Sequence, residues 1–193
     1  MKSKWILNLA LCTLFATPAA MNAQAPAAAA PAAAAPTQAV PGDVYNRLLG
    51  MMEKEIVGAA DAMPAEKYDF APDVKLGEFK GVRTFGGQVK HLAEANYEFF
   101  QGWNVPGEVK PDDIEKMTSK DDIMKALKDS YTFAHSAMGT ITAENAFVLM
   151  GSGERKSTRG GMAAFCIAHS MDHYGQMVEY LRMNGIVPPA SAK

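Results

Sequence analysis

The sequence predicts an all-α protein folded as a four-helix bundle. Two stretches carry apolar residues at alternating intervals of three and four, which is the spacing of one helix face, a third follows it in part, and a fourth keeps the spacing with polar residues in its middle. Loops rich in proline and glycine separate these stretches, and no window alternates apolar and polar residues as a half-buried strand would. Four long helices without strands are typical of an antiparallel bundle.

The first 23 residues have the pattern of a secretory signal peptide. Lys2 and Lys4 precede an apolar run at residues 5–16, and small residues then lead to a predicted cleavage site between Ala23 and Gln24. A short membrane anchor is the alternative, but the run is too short to span a bilayer, so no stable anchor is expected. We therefore expect an exported protein, either periplasmic or secreted.

An alanine- and proline-rich segment follows at residues 24–41. Its repeated prolines prevent a continuous helix, so a disordered tether is expected ahead of a folded domain at residues 42–190. The formal net charge of −2 provides no basic surface of the kind that nucleic-acid binding requires. Nucleic acid is therefore not an expected partner.

The first two helices are expected at residues 43–63 and 84–102. Asp43 is a candidate N-cap of the first helix, and the second begins at Thr84. A loop with Pro72, Gly77 and Gly81 separates them. The apolar positions expected in the core are Tyr45, Leu49, Met52, Ile56, Ala59 and Met63 in the first helix, and Phe85, Val89, Leu92 and Phe99 in the second.

The third and fourth helices are expected after Ser119 and from Thr158. Ser119 and Asp122 resemble a capping box, and residues 143–150 are expected to add a short turn of helix. The fourth helix is expected to end at Gly185. The core positions of the third helix are Met124, Leu127, Tyr131, Ala134, Met138 and Ile141.

The fourth helix places polar groups on the face that should be buried. His169 and His173 lie one turn apart on that face, so both rings can reach one point, and a metal ion would satisfy both. By itself such a pair is equally compatible with a metal site and with coincidence. His91, within the second helix, is a candidate third ligand. His135 lies one position off the apolar seam of its helix and is expected at the rim.

Two segments resemble the DinB/YfiT-like superfamily. The sequence His-Ser-Met-Asp-His-Tyr-Gly-Gln at residues 169–176, with Leu-Arg and Gly-Ile-Val-Pro after it, is similar to the last helix of that family. Residues 84–96, in which a histidine precedes Leu-Ala, resemble its second helix. The resemblance covers residues 43–190. It implies the four-helix DinB bundle and a metal triad of His91, His169 and His173.

Three imidazoles would leave an ion with open positions, as in catalytic sites, and they suit zinc, nickel or iron(II) alike. Gln176, on the same face, could contact a ligand of the ion or make a helix–helix contact. Glu98, two turns beyond His91, and Glu94 beside it are candidates for a base or for a residue that supports the ligands. Asp172 points away from the pair, and Cys166 is expected to be a packed thiol.

These features indicate an exported metal-dependent enzyme, a hydrolase or a transferase, that acts on a small molecule the sequence does not identify. The resemblance includes relatives that use bacillithiol or mycothiol, but export argues against a cytosolic thiol here. The alternatives are a non-catalytic metal-binding module and a structural helical bundle. A homodimer is also compatible with the exposed methionines and aromatic residues.

Overall fold

The computed structural model describes residues 38–151 and 156–192. The signal peptide expected at residues 1–23, and the tether as far as residue 37, lie outside the described residues. The helices are α1 (Pro41–Ala62), α2 (Phe85–Glu98), α3 (Pro111–Glu115), α4 (Lys120–Met138) and α5 (Arg159–Met183). The two short strands are β1 (Leu149–Met150) and β2 (Ser157–Thr158), and 3-10 turns occur at Ala65–Lys67, Val74–Leu76 and Pro189–Ser191.

The four long helices, α1, α2, α4 and α5, form the bundle that the sequence predicts. Helix α2 packs mainly on α4, and α1 packs mainly on α5, while contacts between α1 and α4 and between α2 and α5 complete the core. The apolar seams of the first and third predicted helices account for this packing. Leu49, Ile56 and Met63 from the first seam and Leu127 and Tyr131 from the third are fully buried.

Side-chain caps fix the starts of three of these helices. Thr84, Ser119 and Thr158 each accept a hydrogen bond from a backbone N–H of the first turn, at 3.1, 3.1 and 2.9 Å. The Ser119 hydroxyl also donates to the Asp122 carboxylate at 2.6 Å. Helix α5 ends before Gly185, whose positive φ of 72° suits a residue without a Cβ.

The expected N-cap of the first helix is wrong. Helix α1 begins at Pro41 after Val40, so Asp43 lies in its first turn, where a carboxylate favours the positive end of the helix dipole. Proline suits the first helical position because its missing N–H would have no helical partner there. Gly42 then allows a close approach to α4, because a Cβ at this residue would lie 2.7 Å from the Met138 carbonyl oxygen.

Two short elements differ from the sequence-based expectation. Residues 143–147 form a turn that leads into β1, where a turn of helix was expected, and β1 pairs antiparallel with β2 through Leu149–Thr158 and Met150–Ser157. Strands of two residues are too short to produce a recognisable alternation. Helix α3 lies between the second and third predicted helices, where a loop was expected. Its buried Ile114 packs into the core.

None of the helices that the structure describes combines the length and the apolar character that a membrane crossing requires.

Candidate metal centre

Three histidines from two helices meet at one point of the bundle. His91 lies in the middle of α2, and His169 and His173 lie one turn apart on α5. The Nε2 atom of His169 is 3.2 Å from Nε2 of His91 and 3.1 Å from Nε2 of His173. Each residue offers a ring nitrogen to a group whose members all lie within 4.8 Å of one another. The three side chains that the sequence predicts as ligands are thus brought together.

The surroundings favour the neutral form of each imidazole. Burial lowers the pKa of His91 to about 4, assisted by the charges of Arg83 and of His169. Burial also lowers the pKa of His173 to about 4, with His169 and His91 adding to the effect. For His169, burial lowers the pKa, while the charge of Asp172 acts in the opposite direction. Neutral imidazoles with free lone pairs are the form that binds a metal.

Three neutral rings in this arrangement do not satisfy one another without a cation. His173 donates its Nδ1–H to Gln88 Oε1 at 2.7 Å, so its Nε2 carries a lone pair. If His169 Nε2 also carries a lone pair, its contact with His173 brings two lone pairs together. If His169 Nε2 carries a proton instead, that proton can point well at only one of its two neighbours. A cation at the centre satisfies all three nitrogens.

Two of the three separations between these nitrogens fit a metal ion. Bonds of about 2.0–2.1 Å place two nitrogens about 3.3 Å apart around a tetrahedral ion, and about 2.9 Å apart in neighbouring octahedral positions. The separations of 3.2 and 3.1 Å from His169 Nε2 lie between these values. Three histidine ligands also leave at least one position free for a further ligand.

A chain of amides supports His173 from behind. Gln88, on α2, is only 2% exposed and donates from its Nε2 to Gln176 Oε1 on α5 at 2.8 Å. Gln176 in turn donates to the carboxylate of Asp172 at 3.3 Å. Gln176 therefore makes a helix–helix contact, one of the two possibilities that the sequence left open, and it reaches His173 through Gln88.

Two phenylalanines pack on the other side of the histidine group. The ring of Phe99 meets that of His169 edge to face, with 5.1 Å between centroids, and the Phe165 centroid lies 6.3 Å from His169. The two phenylalanine rings are themselves 5.2 Å apart. Phe165 is 55% exposed, so this apolar surface extends from the histidines to the solvent. An apolar border of this kind restricts water near a metal site.

The structure does not bring the predicted glutamates to the histidines. Glu98 is exposed two helical turns from His91, a rise of about 10 Å, and it lines a cavity of about 110 Å³ with Gln101 and Glu108. Glu94 faces Glu115 of α3. Burial, together with the charge and hydrogen bond of Glu115, raises the pKa of Glu94 to about 7.

The remaining histidine and the buried cysteine lie outside the group. His135, half-buried on α4, makes ring-nitrogen contacts with Asn46 at 2.9 Å and Glu53 at 3.1 Å on α1, which agrees with a rim position. Cys166 is fully buried, and its thiol donates to Asn96 Oδ1 at 3.4 Å. Burial raises the pKa of this thiol to about 12, so it is a packing group.

Gln88 is the residue of this site that the sequence interpretation missed. An amide within a helix is usually a surface group, and its burial here depends on partners from another helix. One signal was present, because Gln88 precedes His91 by three residues and so lies on the same helix face.

Comparisons with known proteins agree with this fold. The chain resembles the crystal structure of a DinB-like protein from Bacillus cereus, with 18% identity, a TM-score of 0.62, and coverage of 76% of this chain and 95% of that one. It also resembles the DinB-like protein YjoA from Bacillus subtilis, with 15% identity, a TM-score of 0.58, and coverage of 74% and 92%. A search of curated proteins finds no significant match. The sequence model of the DinB superfamily matches residues 48–177, so the chain belongs to the DinB superfamily.

Proposed function

We propose that His91, His169 and His173 hold one divalent metal ion and that the protein is an exported, metal-dependent hydrolase or transferase of a small molecule. The convergence of three imidazole nitrogens, with Nε2 separations of 3.1 and 3.2 Å, is the observation that carries this proposal. Imidazole ligands make zinc, nickel and iron(II) the candidate ions.

An ion on three histidines, when bound, supplies Lewis acidity that lowers the pKa of a water ligand or polarises a substrate carbonyl. Hydrolysis requires water as the only second reactant, whereas group transfer to a thiol requires a co-substrate. For an exported protein, water is the more readily available acceptor, so hydrolysis is the favoured reaction class.

The side chains around the histidines suit a small molecule with an apolar part. Phe99 and Phe165 give it a surface to pack on beside His169. Gln88 holds the ring of His173 in place. Burial, assisted by the positive charge of Arg83, lowers the pKa of all three histidines and so favours their unprotonated form.

Export forms part of the proposal and rests on the sequence of residues 1–23. Expression in a bacterial host followed by intact-mass measurement tests it. We expect the extracytoplasmic fraction to contain a chain that begins at Gln24. Replacement of the apolar core of residues 5–16 with polar residues should leave the uncleaved chain in the cytoplasm. A full-length wild-type chain confined to the cytoplasm would refute export.

A non-catalytic metal-binding module is the second candidate, and one observation favours it. Among the described residues, no carboxylate hydrogen-bonds to the three imidazoles, so the structure offers no evident general base beside them. In that case the ion would be held or sensed and would not be used in catalysis.

Metal content is the direct test of the site. We expect the purified full chain to bind one zinc, nickel or iron(II) ion, and we expect His173→Ala to weaken that binding at least 100-fold. His135→Ala is the matched control, because it removes a half-buried histidine outside the group and should retain the metal. Far-UV circular dichroism checks that each variant is folded. Equal metal content in wild type and His173→Ala would refute the site.

Turnover distinguishes an enzyme from a metal holder. The metal-loaded wild type and His173→Ala would be compared on small esters, amides and thiol-transfer substrates. Turnover that needs the metal and is lost in His173→Ala supports the enzyme. A chain that binds metal but turns over nothing faster than the variant supports the non-catalytic module.

A further inference from the structure

We propose that the carboxylate of Asp172 sets which ring nitrogen of His173 carries the proton, acting through the amides of Gln176 and Gln88. These three side chains would be positioning residues of the metal site, so the inference rests on the proposed function. They act on a ligand of the ion without contacting the ion or its further ligands.

The contacts run in one unbroken series from the surface to the buried ligand. Gln176 Nε2 donates to Asp172 Oδ2 at 3.3 Å, Gln88 Nε2 donates to Gln176 Oε1 at 2.8 Å, and Gln88 Oε1 accepts from His173 Nδ1 at 2.7 Å. Asp172 is exposed, Gln176 is half-buried, and Gln88 is buried. The series crosses from α5 to α2 and returns to α5, so it also ties the two metal-bearing helices together.

The direction of each hydrogen bond in this series follows from the carboxylate of Asp172 at its surface end. Carboxylate oxygens accept hydrogen bonds, and Gln176 turns its NH₂ group toward Asp172 Oδ2. Its carbonyl oxygen then faces Gln88, which must donate, and the carbonyl oxygen of Gln88 therefore faces His173. Nδ1 of His173 must carry the proton, and its Nε2 is left with the lone pair that points at the other two histidines.

Reversal of both amides is the alternative that the carboxylate prevents. In the reversed series, the carbonyl oxygen of Gln176 would face the Asp172 carboxylate, and two acceptors would repel each other. Gln88 would then present its NH₂ group to His173 and favour the tautomer with a proton on Nε2. That tautomer cannot bind a metal through Nε2.

His173 is the member of the group whose second ring nitrogen, Nδ1, is held by a side-chain hydrogen bond. Among the described residues, no comparable side-chain hydrogen bond to Nδ1 of His91 or His169 is present. Histidine ligands of metals characteristically donate their second N–H to a carboxylate or a carbonyl, which fixes the ring and raises its basicity. Here two amides extend that arrangement from the ring to a carboxylate at the surface.

Three variants and one control test the series. Gln88→Met keeps the approximate size of the side chain but cannot accept from His173. Gln88→Glu restores an acceptor for Nδ1. Asp172→Asn removes the charge and allows the amides to reverse, with little risk to folding because the residue is exposed. Glu179→Gln is the control, because it removes one exposed carboxylate from the same helix outside the series.

Two measurements apply to each variant: the Kd for zinc by competition with a chelator, and the tautomer of His173 in the metal-free chain by ¹⁵N NMR. We expect Gln88→Met to weaken zinc binding about 10–100-fold and Gln88→Glu to remain within a few-fold of wild type. Asp172→Asn should weaken binding several-fold and give a mixture of tautomers. Glu179→Gln should match wild type in both measurements.

Wild-type affinity in Gln88→Met would overturn the role of Gln88. An unchanged tautomer together with unchanged affinity in Asp172→Asn would overturn the role of the carboxylate. If the wild type binds no zinc, the proposed function fails. The tautomer in the metal-free chain still tests the series in that case, so the two failures are distinguishable.

Discussion

The Nε2 atom of His91 lies 3.2 Å from that of His169, although 78 residues separate them in the chain. Lowered pKa values keep both rings neutral at physiological pH. Three neutral imidazoles held this close cannot satisfy all of their facing ring nitrogens by themselves, and a cation would do so. The first prediction follows from this.

Metal should stabilise the folded chain, because the complete ligand set exists only in the folded state. At a free zinc concentration 100 times Kd, the gain is about 2.7 kcal/mol, or a rise in Tm of about 5–10 °C for a chain of this size. Differential scanning fluorimetry with and without a chelator measures the shift. His169→Ala should abolish the rise, and His135→Ala should keep it. An equal rise in His169→Ala would contradict the assignment.

Glu94 should make the stability of the metal-free chain depend on pH. Burial, with Glu115 beside it, raises the pKa of Glu94 in the folded state from 4.5 to about 7. Between these pH values the folded chain retains a proton that the unfolded chain has lost. The stabilisation is therefore complete below about pH 4.5 and is lost as the pH rises to about 7.

Urea denaturation of Glu94→Gln and wild type from pH 4.5 to 8 measures this effect. The free energy of unfolding of the variant, relative to wild type, should increase up to about pH 7 and then level off. Taking the difference removes the contribution of the histidines, which is common to both proteins. Parallel curves across this range would show that Glu94 titrates normally.

Cys166 should be inert in the folded protein. The thiol is fully buried, and burial raises its pKa to about 12, so little reactive thiolate forms at pH 8. In a Cys12→Ser background, iodoacetamide should label the chain only after denaturation, as measured by mass spectrometry. Cys166→Ala should cost about 1–2 kcal/mol of stability and leave metal binding unchanged. Loss of metal in this variant would instead identify a thiolate ligand.

Two glycines should respond in opposite ways to replacement by alanine. The Cβ of Gly42→Ala would lie 2.7 Å from the Met138 carbonyl oxygen, a backbone atom that cannot move easily. We expect a loss of about 1–3 kcal/mol. The Cβ of Gly175→Ala, within α5, would meet nothing within 4 Å, so we expect a gain of about 0.5–1 kcal/mol from the better helix former. The denaturation midpoint of each variant is compared with that of wild type. Unchanged midpoints in both variants would contradict both arguments.

The long helices were predictable because their buried residues recur in the sequence at the period of a helix. Each of the six seam positions predicted for the third helix, from Met124 to Ile141, is buried. Ser119 caps its helix as the local pattern indicates, and the second helix begins directly after Thr84, next to its predicted start. The β1–β2 pair was not predictable. A strand of two residues shows no period, and each strand forms only by pairing with a second, separate segment of the chain.

At the site, the histidines were predictable and their support was not. The spacing of His169 and His173 is a local property of one helix. His91 was a candidate from its place within the second helix, and the family resemblance implied it as the third ligand. The position of Gln88 against His173 depends instead on how α2 lies beside α5, which no local pattern encodes. Glu98 shows the converse, since it shares a helix face with His91 but lies two turns away along the axis.

The division of the ligands between α2 and α5 has a kinetic consequence. An unfolded chain offers a cation two neighbouring imidazoles, and the third arrives only when the two helices lie side by side. Coordination by all three imidazoles must therefore follow assembly of the bundle, and separation of the two helices would release the metal. The rate at which bound metal is lost to the solution would then set an upper limit on the rate at which these two helices separate.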